Sequence, residues 1–287
     1  MKRTLKGVWS PERRNRRDVD VYLPASYRAA GRRRYPVVYM QDGQNLSDPQ
    51  TAFAGTWDLE PTLERLAARG LEMIVVGVHN AGEERLAEYS PFPDRRHGGG
   101  EGESYLAFLV ETLKPRIDRM FRTRPHCDET AILGSSMGAL IGLYAYFRYP
   151  SVFGRAGVMS PSVWFGQSAI LDYIAAAKAP AGRVYLDVGM REGAGTLRQA
   201  RQLARLLARK GFRRDRRAQR RRQEPDAFLP RQARIALSWT KRRSAASKLQ
   251  PRGIAASQLR YLEDPGGGHQ EAAWAYRLEG ALDFLID

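Results

Sequence analysis

The chain has little of what several chemistries need. One cysteine, Cys127, stands in 287 residues, so no intrachain disulfide can form, and that usage fits a reducing compartment. No apolar run reaches 18 residues, which excludes a membrane-spanning helix. Met1 to Ser10 carries positive charge with no apolar stretch behind it, so a secretory signal is not expected and a cytoplasmic location is. There is no Gly-x-x-x-x-Gly-Lys-[Ser/Thr] phosphate loop and no His-Glu-x-x-His zinc motif. Histidines number four: His79, His97, His126 and His269.

What remains is ordinary for a globular protein. Apolar residues make up 43%, and the length suffices for one well-buried core. The net charge of +16 is unevenly placed. Between Arg213 and Arg252 stand fourteen Lys/Arg against three Asp/Glu, a surplus of eleven. The basicity therefore belongs to one segment.

Strands and helices alternate along the chain. Asp18–Leu23 reads as an antiparallel strand ended by Pro24. Tyr35–Met40 and Met73–Val78 are continuous apolar runs, as in strands buried on both faces. Further strands are predicted near Arg155–Met159, Val184–Val188 and Leu259–Glu263. Helices are predicted over Asp58–Arg69, about Tyr105–Met120, Leu197–Lys210 and Glu271–Leu285. Such alternation implies a single α/β domain with a mostly parallel central sheet and helices on both faces. Asn80–Gly102 is a long loop rich in Gly, Pro and charge, of a kind that often carries function.

The most specific motif is Gly134-Ser135-Ser136-Met137-Gly138, between the apolar run Ala131-Ile132-Leu133 and a small-residue helix start. Gly-x-Ser-x-Gly in that setting is the nucleophile elbow of an α/β-hydrolase. The turn is so tight that only small residues fit two places before and after the nucleophile, which makes Ser136 the candidate. A serine hydroxyl needs a base, and the base needs a carboxylate that orients it and stabilises its charged form. The chain order in this fold is serine, acid, histidine. Only His269 follows the elbow, in the loop Asp264-Pro265-Gly266-Gly267-Gly268-His269. Glu192 lies just beyond the strand Val184–Val188, and Asp187, inside that strand, is its rival. Two backbone donors are expected for the oxyanion: the Met137 N–H, and the Gln44 N–H in Gln41-Asp42-Gly43-Gln44-Asn45.

At family level the sequence resembles the putative-esterase group of α/β-hydrolases. That group includes enterochelin, feruloyl and acetylxylan esterases, S-formylglutathione hydrolases and mycolyltransferases. The matching stretches are Tyr39–Asn45, Thr56-Trp57, Arg85–Pro91, Gly134–Gly138, Ser160–Trp164, Leu186–Gly189, Glu192-Gly193 and Gly266–His269. The resemblance covers about residues 5 to 212 and 258 to 287. It implies a triad of Ser136, Glu192 and His269, with Gln44 and Met137 at the oxyanion hole and no metal or organic cofactor. The substrate is left open, as a small-molecule or carbohydrate-linked ester. Asp42, Trp57, Arg85 and Trp164 are candidate substrate residues. For both tryptophans the alternative is core packing, and for Arg85 it is an ion pair with Glu88, one turn away.

Residues 213–257 depart from the family pattern and read as an insertion, since Leu197–Phe212 runs into Leu259 as a helix-to-strand step without them. A solvated, disordered loop is the first reading. A segment binding nucleic acid nonspecifically is the second, and sequence translated out of frame is the third. The expected activity is that of a serine carboxylesterase. The alternatives are acyl transfer to a sugar or thiol, and an idle module that binds nucleic acid through the basic segment.

Overall fold

The computed structural model describes residues 1–52, 55–215 and 258–287. Eight strands form one sheet: β1 (Lys2–Ser10), β2 (Asn15–Tyr22), β3 (Val37–Gln41), β4 (Ile74–Val78), β7 (Thr130–Ser135), β8 (Arg155–Met159), β9 (Arg183–Gly189) and β10 (Leu259–Asp264). β5 (Pro93–Asp94) and β6 (Gly98–Gly99) make a separate short hairpin. The sheet order is β1-β2-β4-β3-β7-β8-β9-β10. β1, β2 and β4 pair antiparallel, and every later pairing is parallel.

The helices are α1 (Leu59–Ala67), α2 (Arg85–Glu88), α3 (Gly102–Ala107), α4 (Lys114–Met120), α5 (Met137–Arg148), α6 (Ala169–Ala176), α7 (Ala194–Arg209) and α8 (Glu271–Ile286). A π-helical turn, Phe108–Leu113, joins α3 to α4. α1 and α8 cover one face of the sheet, where Leu59, Leu66, Leu278 and Leu282 meet Val75 and Leu133. α3 to α7 cover the other, where Leu109, Leu140, Ile170 and Leu203 meet Val76 and Ile132. Val75 and Val76 thus go to opposite faces, as do Ile132 and Leu133, because successive strand side chains alternate. Both faces are apolar, which is why the central strands read as unbroken runs.

The sequence reading takes Asn80–Gly102 as one long loop and so lacks α2, β5 and β6, and it lacks β1 and α6 as well. β1 is an edge strand with mostly exposed side chains, so it lacks an apolar signal. α6 is only eight residues long and follows an irregular turn with positive φ at Gly166, Gln167 and Ser168.

Residues 216–257 lie outside the described residues, and with them most of the expected insertion and its nucleic-acid reading. The described residues on either side of 216–257 meet. Asp215 N–H donates to the Leu259 carbonyl at 2.7 Å, and Gln258 N–H to that of Arg213 at 2.8 Å. Arg213 to Asp215 thus pair with the chain beside β10. Among the described residues no helix is long and apolar enough to cross a membrane.

Candidate active site

Ser136 sits between the last residue of β7 and the first of α5, with φ 54° and ψ −120°. That backbone is sparsely populated for a residue with a Cβ and costs on the order of 1–3 kcal/mol. Its surroundings hold it there. Ser136 N–H donates to Met159 O at 3.0 Å, and its carbonyl accepts from Leu140 N–H and Ser162 N–H, both at 3.1 Å. A Cβ on Gly134 would lie 2.5 Å from the carbonyl carbon of Gly138, and one on Gly138 would lie 2.9 Å from Gln41 Cβ. Only glycine fits either place.

His269 reaches this serine from the loop between β10 and α8. Its Nε2 is 2.9 Å from Ser136 Oγ and its Nδ1 is 2.8 Å from Glu192 Oε2. Glu192 ends the turn after β9, close to the glycine loop, where Arg191 N–H donates to Gly267 O at 3.0 Å. The two carboxyl oxygens are used differently: Oε2 faces the imidazole, while Oε1 accepts from Gly189 N–H at 2.7 Å and Ser160 Oγ–H at 2.5 Å. Burial pushes this carboxyl up, but the hydrogen bonds from His269, Ser160 and Gly189 outweigh it and hold the group below the ordinary glutamate range. Glu192 is 1% exposed at its side chain and His269 is 42% exposed. The charge is therefore sheltered, while the imidazole meets solvent.

Behind Glu192 lies a group that sequence reasoning missed. Ser160, with φ +45°, is fully buried. Its oxygen accepts from Trp274 Nε1–H at 3.1 Å and from Arg277 Nη2–H at 2.9 Å. Both partners can only donate, so they take the two lone pairs of the hydroxyl and direct its one proton to Glu192. Arg277 also lies 3.1 Å from Asp187 and 3.3 Å from Asp264. Asp187 accepts from Ser160 N–H at 3.1 Å; burial pushes its carboxyl up to about 6, against the pull of Arg277. Of the two rival acids, the structure brings Glu192 to His269 and ties Asp187 to Arg277. The available signal was helical spacing: Trp274 and Arg277 lie three apart, on one face of the helix that begins just after His269.

On the other side of Ser136, β3 runs into Asp42 and the 3₁₀ turn Gly43–Asn45, which carries Gln44. A Cβ on Gly43 would overlap the carbonyl of Gly77 in β4. Met137 is the first residue of α5, so its N–H has no intrahelical acceptor. Asp42 is buried and left-handed, with φ 55°. Its Oδ1 accepts from Arg85 Nε at 2.7 Å and Asn80 Nδ2 at 2.7 Å, and its Oδ2 from Arg85 Nη2 at 2.8 Å. The expected Arg85–Glu88 pair is thereby corrected. Glu88 is fully buried and faces the β1–β2 hairpin, where Arg17 holds it at 2.6 Å and Arg13 at 3.0 Å. Trp57 is corrected too: it is 1% exposed and packs 5.9 Å from Trp274, centroid to centroid, so its place is in the core. Trp164 is 45% exposed and meets His97 edge-on at 5.4 Å. It lies two residues beyond Ser162, whose Oγ is 3.1 Å from Ser136 Oγ.

The chain resembles known proteins in sequence and in fold. The Putative esterase family matches residues 10–285. An uncharacterised protein of Bacillus subtilis (strain 168), YbbA, is 30% identical over 224 residues, which is 74% of this chain and 86% of the relative. A siderophore enterobactin esterase of Emericella nidulans is 35% identical over 82 residues, 29% of this chain and 26% of that protein. The crystal structure of the BES protein from Bacillus cereus overlays with a TM-score of 0.67 at 19% identity, covering 100% of this chain and 95% of that one. This chain belongs to the Putative esterase family, and it is a carboxylic ester hydrolase with the α/β-hydrolase fold.

Proposed function

We propose that the chain is a serine carboxylesterase that works through an acyl-enzyme, with Ser136 as nucleophile, His269 as base and acid, and Glu192 as the carboxylate that orients His269. The observation that carries this is the unbroken path from Ser136 Oγ to His269 Nε2, 2.9 Å, and from His269 Nδ1 to Glu192 Oε2, 2.8 Å. Ser136 Oγ attacks the ester carbonyl carbon as its proton passes to Nε2. Glu192, held ionised, accepts the Nδ1–H and stabilises the imidazolium. The Met137 and Gln44 N–H groups take the charge that develops on the carbonyl oxygen. Collapse expels the alcohol, which receives its proton from Nε2. A water then gives a proton to the same nitrogen, attacks the acyl carbon and releases the acid with Ser136 restored.

The substrate class we assign is a small-molecule ester. This rests on the siderophore ester that names one relative and on the exposed Trp164 near the nucleophile, which offers a face for a ring. The test joins a fluorophosphonate probe with a burst assay on p-nitrophenyl acetate. The expected result is one label per chain, on Ser136, and a p-nitrophenol burst matching the enzyme concentration. A label elsewhere, or none, overturns the assignment. A panel of acetyl, feruloyl and catecholate esters, with and without a sugar or thiol acceptor, then ranks the acyl group and separates hydrolysis from transfer.

A further inference from the structure

We propose that Asp42, Asn80, Arg85 and Tyr89 are positioning residues that set the direction of the Gln44 N–H, and that Arg85 is thereby withdrawn from binding a substrate anion. The inference rests on the esterase reading above, in which Gln44 N–H is an oxyanion donor.

The direction of that N–H follows from the backbone at the preceding residues, and Asp42 is the unusual one. A non-glycine residue leaves the left-handed region readily unless its surroundings hold it. Here each hydrogen-bonding group of Asp42 is held. Its N–H donates to the Tyr89 hydroxyl at 3.1 Å and its carbonyl accepts from Asn45 N–H at 2.9 Å. Its carboxylate takes the bidentate Arg85 fork at 2.7 and 2.8 Å and the Asn80 amide at 2.7 Å. The Gln44 side chain is tied to the same stretch, its Oε1 accepting from Asn80 N–H at 3.2 Å.

Apart from the turn bond to Asn45, these partners all come from residues 80 to 89, so one segment braces the whole turn. That segment is itself fixed. Arg85 lies over the Tyr89 ring at 4.9 Å, and Tyr89 is fully buried against Tyr105 at 5.4 Å. Glu88 is locked by Arg13 and Arg17 of the β1–β2 hairpin. A guanidinium already matched to a carboxylate by two parallel bonds has little left for a substrate anion, since planar fork-to-carboxylate pairing is among the stronger hydrogen-bonded arrangements.

Loosening the brace lets Asp42 relax and the following peptides rotate, which removes one donor in the transition state while leaving ground-state binding alone. The experiment uses Arg85→Lys, Asn80→Ala and Tyr89→Phe in the full chain. Each variant is assayed on uncharged p-nitrophenyl acetate and on the anionic half-ester p-nitrophenyl succinate, with a trifluoromethyl ketone as tetrahedral mimic. Loss of one oxyanion donor costs about 100- to 1,000-fold in kcat elsewhere. A misdirected donor costs less, so a fall of about 10- to 100-fold is expected for Arg85→Lys. The fall should be the same on both esters, with KM within about twofold and a matching loss of affinity for the ketone. Tyr89→Phe deletes one oxygen and guards against a variant that does not fold; its expected fall is about tenfold, again shared by both esters. A rise in KM confined to the anionic ester, with kcat on p-nitrophenyl acetate unchanged, would overturn the proposal and make Arg85 an anion site. Fluorophosphonate labelling of the unaltered chain keeps the two failures apart. Without a label on Ser136 the esterase reading falls first. With the label present and kcat untouched in all three variants, the brace alone is wrong.

Discussion

Two arginine–aspartate pairs flank Ser136, one at the end of β3 and one in β9, on opposite sides of β7, and they are built differently. At the end of β3, Arg85 grips Asp42 with both arms, and its side chain is 27% exposed. In β9, Asp187 faces an Arg277 whose side chain is 1% exposed. Arg277 also lies beside Asp264 and Glu192 and donates to Ser160. The first pair is neutral on its own and fixes a backbone turn. The second is a shared cation beside three carboxylates, Asp187, Asp264 and Glu192, and it holds the Ser160 hydroxyl that donates to Glu192. A buried ion pair is weak evidence of stability, because desolvation offsets most of the attraction. On both flanks the gain is geometry or charge delivered to one serine.

The largest effect should come where the flanks converge. Ser136→Ala leaves both networks in place, yet kcat should fall about 10,000-fold or more, because the covalent route is gone. Ser162→Ala, which removes a hydroxyl 3.1 Å away, should cost less than about tenfold. Equal losses in steady-state assays of the two variants would break the assignment of Ser136.

Next in size is the acid flank. Glu192→Gln keeps the shape of the side chain and removes its charge, so kcat should fall by about 1,000- to 10,000-fold. Asp187→Asn should leave kcat within about tenfold, since Asp187 acts on the active site only through Ser160 and Arg277. If Asp187→Asn abolished activity in a folded protein while Glu192→Gln did not, the carboxylate roles would be reversed.

The same two residues should pull stability in opposite directions with pH. Asp187 has its carboxyl raised to about 6 from an ordinary value of 3.8. Its contribution is fully present below the ordinary value and is lost as pH rises through about 6. Asp187→Asn should therefore gain on the unaltered chain between pH 4 and pH 7, by at most about 3 kcal/mol for two pKa units. Glu192 is lowered, so its contribution is present above its ordinary value and is lost as pH falls through the folded one. Glu192→Gln should compare worst with the unaltered chain near neutral pH and recover in acid. Urea unfolding at pH 4 and pH 7 measures both, and parallel slopes for the two variants would erase the distinction between the carboxylates.

The sequence was legible where one residue type has one reason to be there. Gly134, Gly138 and Gly43 stand where a Cβ would collide with backbone or a neighbouring side chain, and the buried strands carry apolar residues on both faces. His269 was found because it alone follows the elbow. What stayed hidden depends on pairing across distance. Nothing local says that Arg85 turns to Asp42, 43 residues earlier, rather than to Glu88 three residues on. Ser160 stood in a stretch matched to the family, but its role appears only when Trp274 and Arg277, more than 100 residues later, fill its lone pairs. Trp57 was ambiguous because a large aromatic suits a cleft and a core equally well.

The smallest effect should come from replacing residues 216–257, which supply none of the residues named in the two networks. Residues 216 to 257 hold twelve Lys/Arg and two Asp/Glu, and the chain on either side of them is already closed by the bonds among Arg213, Asp215, Gln258 and Leu259. Every residue named in the two networks lies outside that stretch. We expect that replacing 216–257 by a Gly/Ser bridge of about four residues leaves a folded esterase, because such a bridge is an ordinary connection length and closure entropy varies only logarithmically with loop length. On p-nitrophenyl acetate, kcat should stay within about twofold. The isoelectric point should drop, as ten net positive charges leave with the segment. If the unaltered chain is retained on a DNA column at low salt, the shortened one should pass through, and added salt should release the unaltered chain in the same way. A shortened protein that folds but changes its preference among ester chain lengths would place the segment over the cleft as a third contributor. One that fails to fold would show that the two flanks depend on it, and the independence of this region from the site would be refuted.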